Sequence, residues 1–417
     1  MLKVGRYTAA LLLLSVGLLL LLDQTRGTGY MALLLDWWPV LLITLGVEYL
    51  VFNFIYRKKE TAFRLDWGGL VLSVLISAVV VGITQADRLP KDWLGNLNFN
   101  ISTLNLSFSS ESGYSFNKPE LAIPLPKGVE RVELENPNGS VEIRGGDVKD
   151  IIIQAVIWVD KVDETEAARI AEESTIDYSG GSTLKIMTNA KEYTGGFPNK
   201  RKPRVNLQVT VPEAVKADYQ LKLLNGKVIA EHMPVKEKLN VRTTNGAITV
   251  AGIDGNITAD TTNGAVDVSD IGGDASVETT NGVVTVMAVG GKLEVDTTNG
   301  AVKVERVQGD ADIETLNGKI TVVDAEAGIK ANATNGTISI TSVRVGGDYT
   351  LKNTTSSIEL HIPALADVQV KGSTSYGSIN TNLPLTVEGK KITGILGTGL
   401  HQIKIDTNNK IYVNSLD

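Results

Sequence analysis

Residues 263–280 read Asn263-Gly-Ala-Val-Asp-Val-Ser-Asp-Ile-Gly-Gly-Asp-Ala-Ser-Val-Glu-Thr-Thr280, and the phrase begins again at Asn281. Asn-Gly occurs at 225, 245, 263, 281, 299, 317 and 335; the first step is 20 residues and each later one is 18. Thr-Thr precedes the pair at 243, 261, 279 and 297. A fixed period of this kind is the signature of a repeat architecture, and it governs how the rest of the chain is read.

Each unit carries two turn signals. Asn-Gly tolerates positive φ at one end. Asp254–Gly255, Gly272–Gly273 and Gly290–Gly291 mark the other. Between them lie two runs with period-two alternation, hence two strands per unit. In the first strand, Ile248, Val266, Val284, Val302, Ile320 and Ile338 form one inward column, and Val250, Val268, Val286, Val304, Val322 and Ile340 the next. In the second strand, Ile257, Ala275, Leu293, Ala311 and Ile329 form a column, as do Ala259, Val277, Val295, Ile313 and Ala331.

Two architectures use Asn-Gly in this way: a series of antiparallel hairpins, or a parallel β-solenoid in which each unit is one rung. Matched columns at a constant step favour stacking, since a meander has no need of them. The calcium-binding β-roll also repeats every 18 residues, but its G-G-x-G-x-D turns do not occur here. Stacked rungs bring identical residues to about 4.8 Å, so Asn245 to Asn335 become an amide ladder. Such a flat array would suit ice, sugar or another regular surface. The structural alternative is turn geometry plus rung-to-rung hydrogen bonding. Adjacent threonines point to opposite faces, which favours the structural role.

One outward column of the second strand reads Arg242, Asp260, Glu278, Asp296, Glu314, Asn332, and its neighbour supplies Glu294 and Asp312. Stacked carboxylates repel by about 1 kcal/mol per pair in water. Three readings follow: a solvated face that keeps the solenoid soluble, a face for a divalent cation or cationic partner (Asp260, Glu278, Asp296, Glu314), or catalysis. A uniform ladder offers no pair of carboxylates with contrasting pKa values, so catalysis ranks last. The repeats from Asn245 to Ser342 contain no Phe, Trp or Tyr, which weakens a glycan-binding reading.

The N-terminal part is of another kind. Apolar runs occupy about 4–22, 33–55 and 68–84. The first two reach the roughly 20 residues that cross a bilayer. Lys3 and Arg6 also suit a signal peptide, but no small-residue cleavage site follows Leu22 and two more runs come next, so the reading is an uncleaved anchor. Arg57, Lys58, Lys59 and Arg64 lie in the loop at 56–66, against Arg26 alone at 23–30. Basic residues mark the cytoplasmic side. The N-terminus is therefore expected inside, and everything after Thr84 outside. Trp37 and Trp38 fall where an outer aromatic belt belongs. Glu48, inside the second run, marks a function or a helix contact, or reaches toward the inner interface.

The expected organisation is thus a transmembrane region (1–84), a juxtamembrane segment (85–118), strands with a short helix Asp163–Ser174 capping the solenoid (119–240), and repeats with a C-terminal cap (241–417). Strands are expected at 183–188 and 204–211. The basic loop 198–204 between them is a solvated loop, or touches anionic lipid or a wall polymer. After Gly336 the repeat decays: Ser356 with Ser357, and Tyr376 with Gly377, replace Asn-Gly, and Asn408 with Asn409 marks a last degenerate rung. Atypical terminal repeats protect a solenoid against edge-to-edge growth.

Composition sets outer bounds. The 417 residues include 41 glycines, 12 prolines, three histidines and no cysteine. Disulfides, thiolate metal sites and cysteine nucleophiles are excluded. The net charge of −7 disfavours a nucleic-acid partner held by bulk charge. No Walker A, H-E-x-x-H or G-x-S-x-G motif is present.

The repeat Thr-Thr-Asn-Gly-x-Val-x-Val and the earlier stretch Glu135-Asn-Pro-Asn-Gly-Ser-Val-Glu-Ile143 resemble the bacterial putative-adhesin domain of unknown function, a toast-rack-like β-solenoid, over roughly residues 119–417. The stretch Asp36-Trp-Trp-Pro-Val-Leu-Leu-Ile-Thr-Leu-Gly46 resembles the LiaI–LiaF-like transmembrane region, over roughly 5–84. These resemblances imply a bacterial cell-envelope protein. LiaF-like proteins modulate envelope-stress signalling through a membrane histidine kinase. The expectation is a non-enzymatic, multi-pass membrane protein with an extracytoplasmic solenoid acting in adhesion, scaffolding or stress sensing. Its partners are the lipid bilayer and either a membrane protein such as a sensor kinase or a cell-wall polymer, with no cofactor and no resident metal. The alternative is a glycan-binding or glycan-active solenoid.

Overall fold

A computed structural model describes residues 107–126, 128–194 and 200–416, with short pieces at 2–4, 15–16, 18–19, 48 and 63–65. The three apolar runs fall almost wholly outside the described residues. Among the described residues no helix is long and apolar enough to cross a membrane. The chain divides into two compact units: Met1–Ser107 with Tyr193–Arg201, and Phe108–Glu192 with Lys202–Asp417.

In the first unit, Leu2–Val4 pairs in parallel with Phe63–Leu65, Leu2 opposite Phe63. Glu48 is in helical backbone and buried. Tyr193 and Thr194 pair antiparallel with Arg201 and Lys200.

The second unit is built from two sheets of 15 strands each. The repeat stacks in parallel and in register. Ala275–Asn281 lies between Asn256–Asn263 and Leu293–Asn299 in one sheet. Past the Asn-Gly turn, Val284–Val289 lies between Val266–Ile271 and Val302–Val307 in the other. This is the stacking the period predicts, and it is consistent with a β-solenoid. Every residue of the four inward columns is buried. Valine and isoleucine dominate because branched side chains fill a pleated, half-buried surface. A fifth buried column, Ile253, Ile271, Val289, Val307 and Ala325, is out of phase with simple alternation. The residue before each has positive φ: Gly252 (65°), Asp270 (55°), Ala288 (57°), Arg306 (55°) and Asp324 (55°). That left-handed residue turns the strand and re-aims its next side chain inward.

The parallel ladder continues N-terminal of the regular repeat. Ala217–Asn225 pairs with Val235–Asn245 on one side and Arg131–Asn138 on the other. Thr183–Asn189 then pairs outside Arg131–Asn138, and Arg204–Pro212 outside Val141–Gly146. The same exchange occurs at the far end. His401–Thr407 inserts between Tyr349–Asn353 and Val368–Thr374. The rung with Asn408 and Asn409, last in sequence, is therefore not last in space. Antiparallel strands close one end of both sheets, Thr175–Ser179 and Ile151–Val159, and one sheet at the other end, Lys391–Leu396; there the second sheet stops at the three-residue parallel strand Ile379–Thr381. The antiparallel strands cover the backbone edges on which another parallel rung would grow.

The helix is Glu164–Glu173. Asp163 caps it, its Oδ1 accepting from Glu166 N at 2.9 Å, and Ala167, Ile170 and Ala171 are buried. Of the basic loop, residues 200–204 are described: Lys202 pairs with Glu192 at 3.4 Å and Arg204 with Glu111 at 2.9 Å.

Candidate functional site

Parallel registration turns each repeated polar residue into a column. The asparagine column is a continuous ladder: Asn245 Nδ2 donates to Asn225 Oδ1 at 2.8 Å, and the same bond links 263 to 245, 281 to 263, 299 to 281, 317 to 299 and 335 to 317 at 2.8–2.9 Å. The first threonine of each pair points inward. Thr243, Thr261 and Thr279, with Thr315 at the equivalent position of the Thr315-Leu316 pair, are buried and donate to Gly226, Gly246, Gly264 and Gly300 carbonyls at 3.0–3.4 Å. Thr297 is buried in the same column, but its Oγ1 makes no hydrogen bond among the described residues. The amides and all but one of these inner hydroxyls are used within the stack, which is the structural role of the two considered.

The acidic column faces outward. Arg242, Asp260, Glu278, Asp296, Glu314 and Asn332 are consecutive partners across six strands. Beside them run Ser276, Glu294, Asp312 and Lys330. All four predicted residues are therefore brought together on one face. Basic groups bracket them. Arg242 Nε reaches Asp260 Oδ2 at 2.8 Å. At the other end Lys330 Nζ lies 2.9 Å from Asp312 and 3.1 Å from Glu314, and Lys352 continues the column. Asn332 Nδ2 donates to Glu314 Oε1 at 2.7 Å. Between the brackets, Glu278, Glu294 and Asp296 have no ion pair among the described residues. The face opens into a shallow groove of about 630 Å3 whose lining includes Glu278, Asp296, Glu314, Lys352 and Asp406.

The bracket divides the carboxylates. Partial desolvation, then the charges of Glu314, Glu294, Glu278 and Asp312, push Asp296 above its usual value of 3.8. Asp296 still reaches solvent, and its acidic neighbours supply the part of the shift that needs no burial. Glu314 moves down, held by hydrogen bonds from Asn332 and Lys330 and by the Lys330 charge. Lys330 moves up, bonded to Asp312 and Glu314. The uniform ladder expected from sequence is thus an adjacent pair shifted in opposite directions, because Asn332 and Lys330 bond Glu314 whereas Asp296 is partly desolvated among carboxylates.

Sequence reasoning placed the acidic column with Arg242 at its head but missed Lys330 at the other end. The 18-residue step from Asp312 to Lys330 was the available signal. A second ladder was also missed: Asn256 Oδ1 accepts from Asp274 N, and Asp274 Oδ1 from Lys292 N, each at 2.8 Å, with Asp310 Oδ1 accepting from Gly328 N at 2.9 Å. Among the described residues no group of three or more His, Cys, Asp or Glu side chains is arranged to hold a metal ion.

No curated protein matches this chain. Solved structures similar to it include a putative cell adhesion protein from Clostridium sporogenes ATCC 15579, 14% identical over 72% of this chain and 100% of that chain, with TM-score 0.23. A putative lipid binding protein from Parabacteroides distasonis ATCC 8503 is 11% identical over 74% and 99%, with TM-score 0.30. A putative adhesin from Bacteroides fragilis NCTC 9343 is 10% identical over 73% and 99%, with TM-score 0.24. Residues 129–410, more than half of the chain, match the family model described as Toastrack DUF4097, and the chain belongs to the Toastrack DUF4097 family.

Proposed function

We propose that this chain is a non-enzymatic cell-envelope protein, anchored in the membrane by its N-terminal apolar runs, whose rungs stand outside the membrane and act in adhesion, scaffolding or envelope-stress sensing. The observation that carries the reading is the bracketed acidic face. Glu278 and Asp296 line an open groove with Glu294 in the neighbouring column, a patch of unpaired negative charge suited to several weak contacts at once rather than to one enclosed ligand. Such contacts gain strength by multiplicity. A basic segment of a membrane protein, such as a sensor kinase, or a cationic wall polymer has the complementary chemistry. The parallel pairing of Leu2–Val4 with Phe63–Leu65 is compatible with the anchoring. It sets the N-terminus beside the basic loop, with two apolar runs between them, and two crossings return a chain to its starting side.

Crosslinking in intact cells followed by mass spectrometry tests this. Crosslinks from the acidic face to a membrane protein or wall polymer are expected, with loss on replacing Glu278 by Gln and Asp296 by Asn together. Unchanged crosslinks in that variant would remove the acidic face from the proposal.

One observation favours a second reading. Asp296 and Glu314 are register partners on adjacent strands and line the same open groove, a neighbouring carboxylate pair of the kind glycosidases use, with their carboxyls shifted in opposite directions. Release of reducing sugar from wall glycan, abolished by Asp296→Asn and by Glu314→Gln, would establish that reading. Activity absent from the unaltered chain would remove it.

A further inference from the structure

The chain carries eight Asn-Gly pairs, at 138 and at the seven repeat positions. Asn-Gly is chemically labile, because glycine has no side chain to keep its backbone nitrogen from the preceding asparagine's side-chain carbonyl. In this fold that nitrogen is occupied at seven of the eight. Gly139, Gly226, Gly246, Gly264, Gly282, Gly300 and Gly318 each donate their N–H to the carbonyl of the asparagine in the next rung, at 2.8–3.1 Å. The eighth is different. Gly336 N–H makes no hydrogen bond among the described residues, although its carbonyl accepts from Asn353 Nδ2.

The difference lies in what stands opposite rather than in the length of the turn, since the Asn225-to-Asn245 step is also 20 residues and Gly226 N–H still reaches the Asn245 carbonyl at 2.9 Å. The step from Asn335 to its spatial successor is 20 residues, and Thr355, not asparagine, stands opposite it, donating Oγ1 to Asn335 Oδ1 at 3.1 Å. Thr354 N and Thr355 N turn back to the carbonyls of Ala333 and Thr334, each at 3.1 Å. No carbonyl then arrives at Gly336 N. The Asn335 side chain keeps its place in the ladder, donating to Asn317 Oδ1 at 2.8 Å, so the two ends of the series differ mainly in the freedom of the backbone nucleophile.

We infer that Asn335–Gly336 is a self-modification site, the one Asn-Gly pair of the folded protein open to deamidation. The Gly336 nitrogen loses its proton and bonds to Asn335 Cγ. The bond from Cγ to the side-chain nitrogen breaks, and that nitrogen leaves with the proton as ammonia. The resulting succinimide takes up one water at either carbonyl and opens to aspartate or isoaspartate. The product places a carboxylate where an amide had donated to Asn317, so the end of the ladder loses a donor and gains a negative charge.

Peptide mapping by mass spectrometry of the full chain, aged at mildly alkaline pH, tests this, with isoaspartate-specific enzymatic methylation as a second readout. In the folded chain the peptide containing Asn335 is expected to convert on the order of tenfold or more faster than those containing Asn263, Asn281 and Asn299, because the inner pairs must first open locally. In urea all are expected to convert at similar rates. Asn335→Gln should remove the fast signal and leave the slow ones. Conversion of Asn335 no faster than Asn281 in the folded chain would overturn the inference, as would a difference that persists in urea.

Discussion

Replacing Asp296 by Asn should stabilise the protein at neutral pH. Asp296 sits between Glu278 and Glu314 in register. At the strand spacing of about 4.8 Å, two unit charges repel by roughly 0.9 kcal/mol in water. The two in-column neighbours alone contribute about 1.7 kcal/mol before screening. Screening at physiological salt, with a Debye length of about 8 Å, removes close to half. Lys330, 3.1 Å from Glu314, offsets part of the rest. The expected gain is about 0.5–1 kcal/mol, or a rise in Tm of roughly 1–3 °C. The new amide would also donate to a flanking carboxylate, as Asn332 does to Glu314, which acts in the same direction. The sign with pH follows from the raised folded-state pKa. Between the ordinary value of 3.8 and the raised value, the folded state holds more protons than the unfolded state. Stability therefore falls as pH rises through that window. The cost is full at pH 7 and absent below the ordinary value, so the advantage of the Asn variant should fade there. Thermal unfolding followed by circular dichroism, at pH 7 and at pH 3, reads both. A variant less stable than the parent at pH 7, or a gain unchanged at pH 3, would refute the charge-crowding argument.

Val284 is fully buried at the middle of an inward column. Val284→Asp should cost several kcal/mol through an unpaired buried carboxylate, whereas Thr285→Asp, facing outward between Asp267 and Lys303, should change Tm little; equal losses would overturn the assigned faces. Ala288 holds a φ of 57°, which costs a non-glycine residue about 1–2 kcal/mol. Ala288→Gly should therefore raise stability in urea titration despite glycine's greater unfolded entropy, and a loss would show that the left-handed turn is not strained. Calcium at several millimolar should raise Tm no more than matched ionic strength does, because hard cations need about six or more oxygens and the flat face presents few to any one point. A calcium-specific rise abolished by Glu278→Gln with Asp296→Asn would instead establish a cation site.

The inward columns were legible because a strand alternates strictly and a parallel stack repeats that alternation without slippage. The amide ladder was legible for the same reason. The left-handed column was not. Gly252 announces positive φ, and Asp270 and Asp324 tolerate it, but Ala288 and Arg306 adopt it in the same column with no local signal. The exchange of terminal rungs was also hidden. Thr183–Asn189 and His401–Thr407 have ordinary strand patterns, and their places depend on which neighbour the connecting segment lets them reach. In the acidic face, residue types gave the column. The division between Asp296 and Glu314 needed the side-chain bonds of Asn332 and Lys330 to Glu314 and the partial desolvation of Asp296, which spacing alone does not supply.

The claim on which the proposed role rests most heavily is that the rungs stand outside the membrane. Reporter fusions that fluoresce or act only on one side test it directly. A reporter active only outside, fused after Asp417, should be active, and the same reporter inserted within 57–64 should be silent. Activity within 57–64 and silence after Asp417 would put the rungs in the cytoplasm and contradict the account.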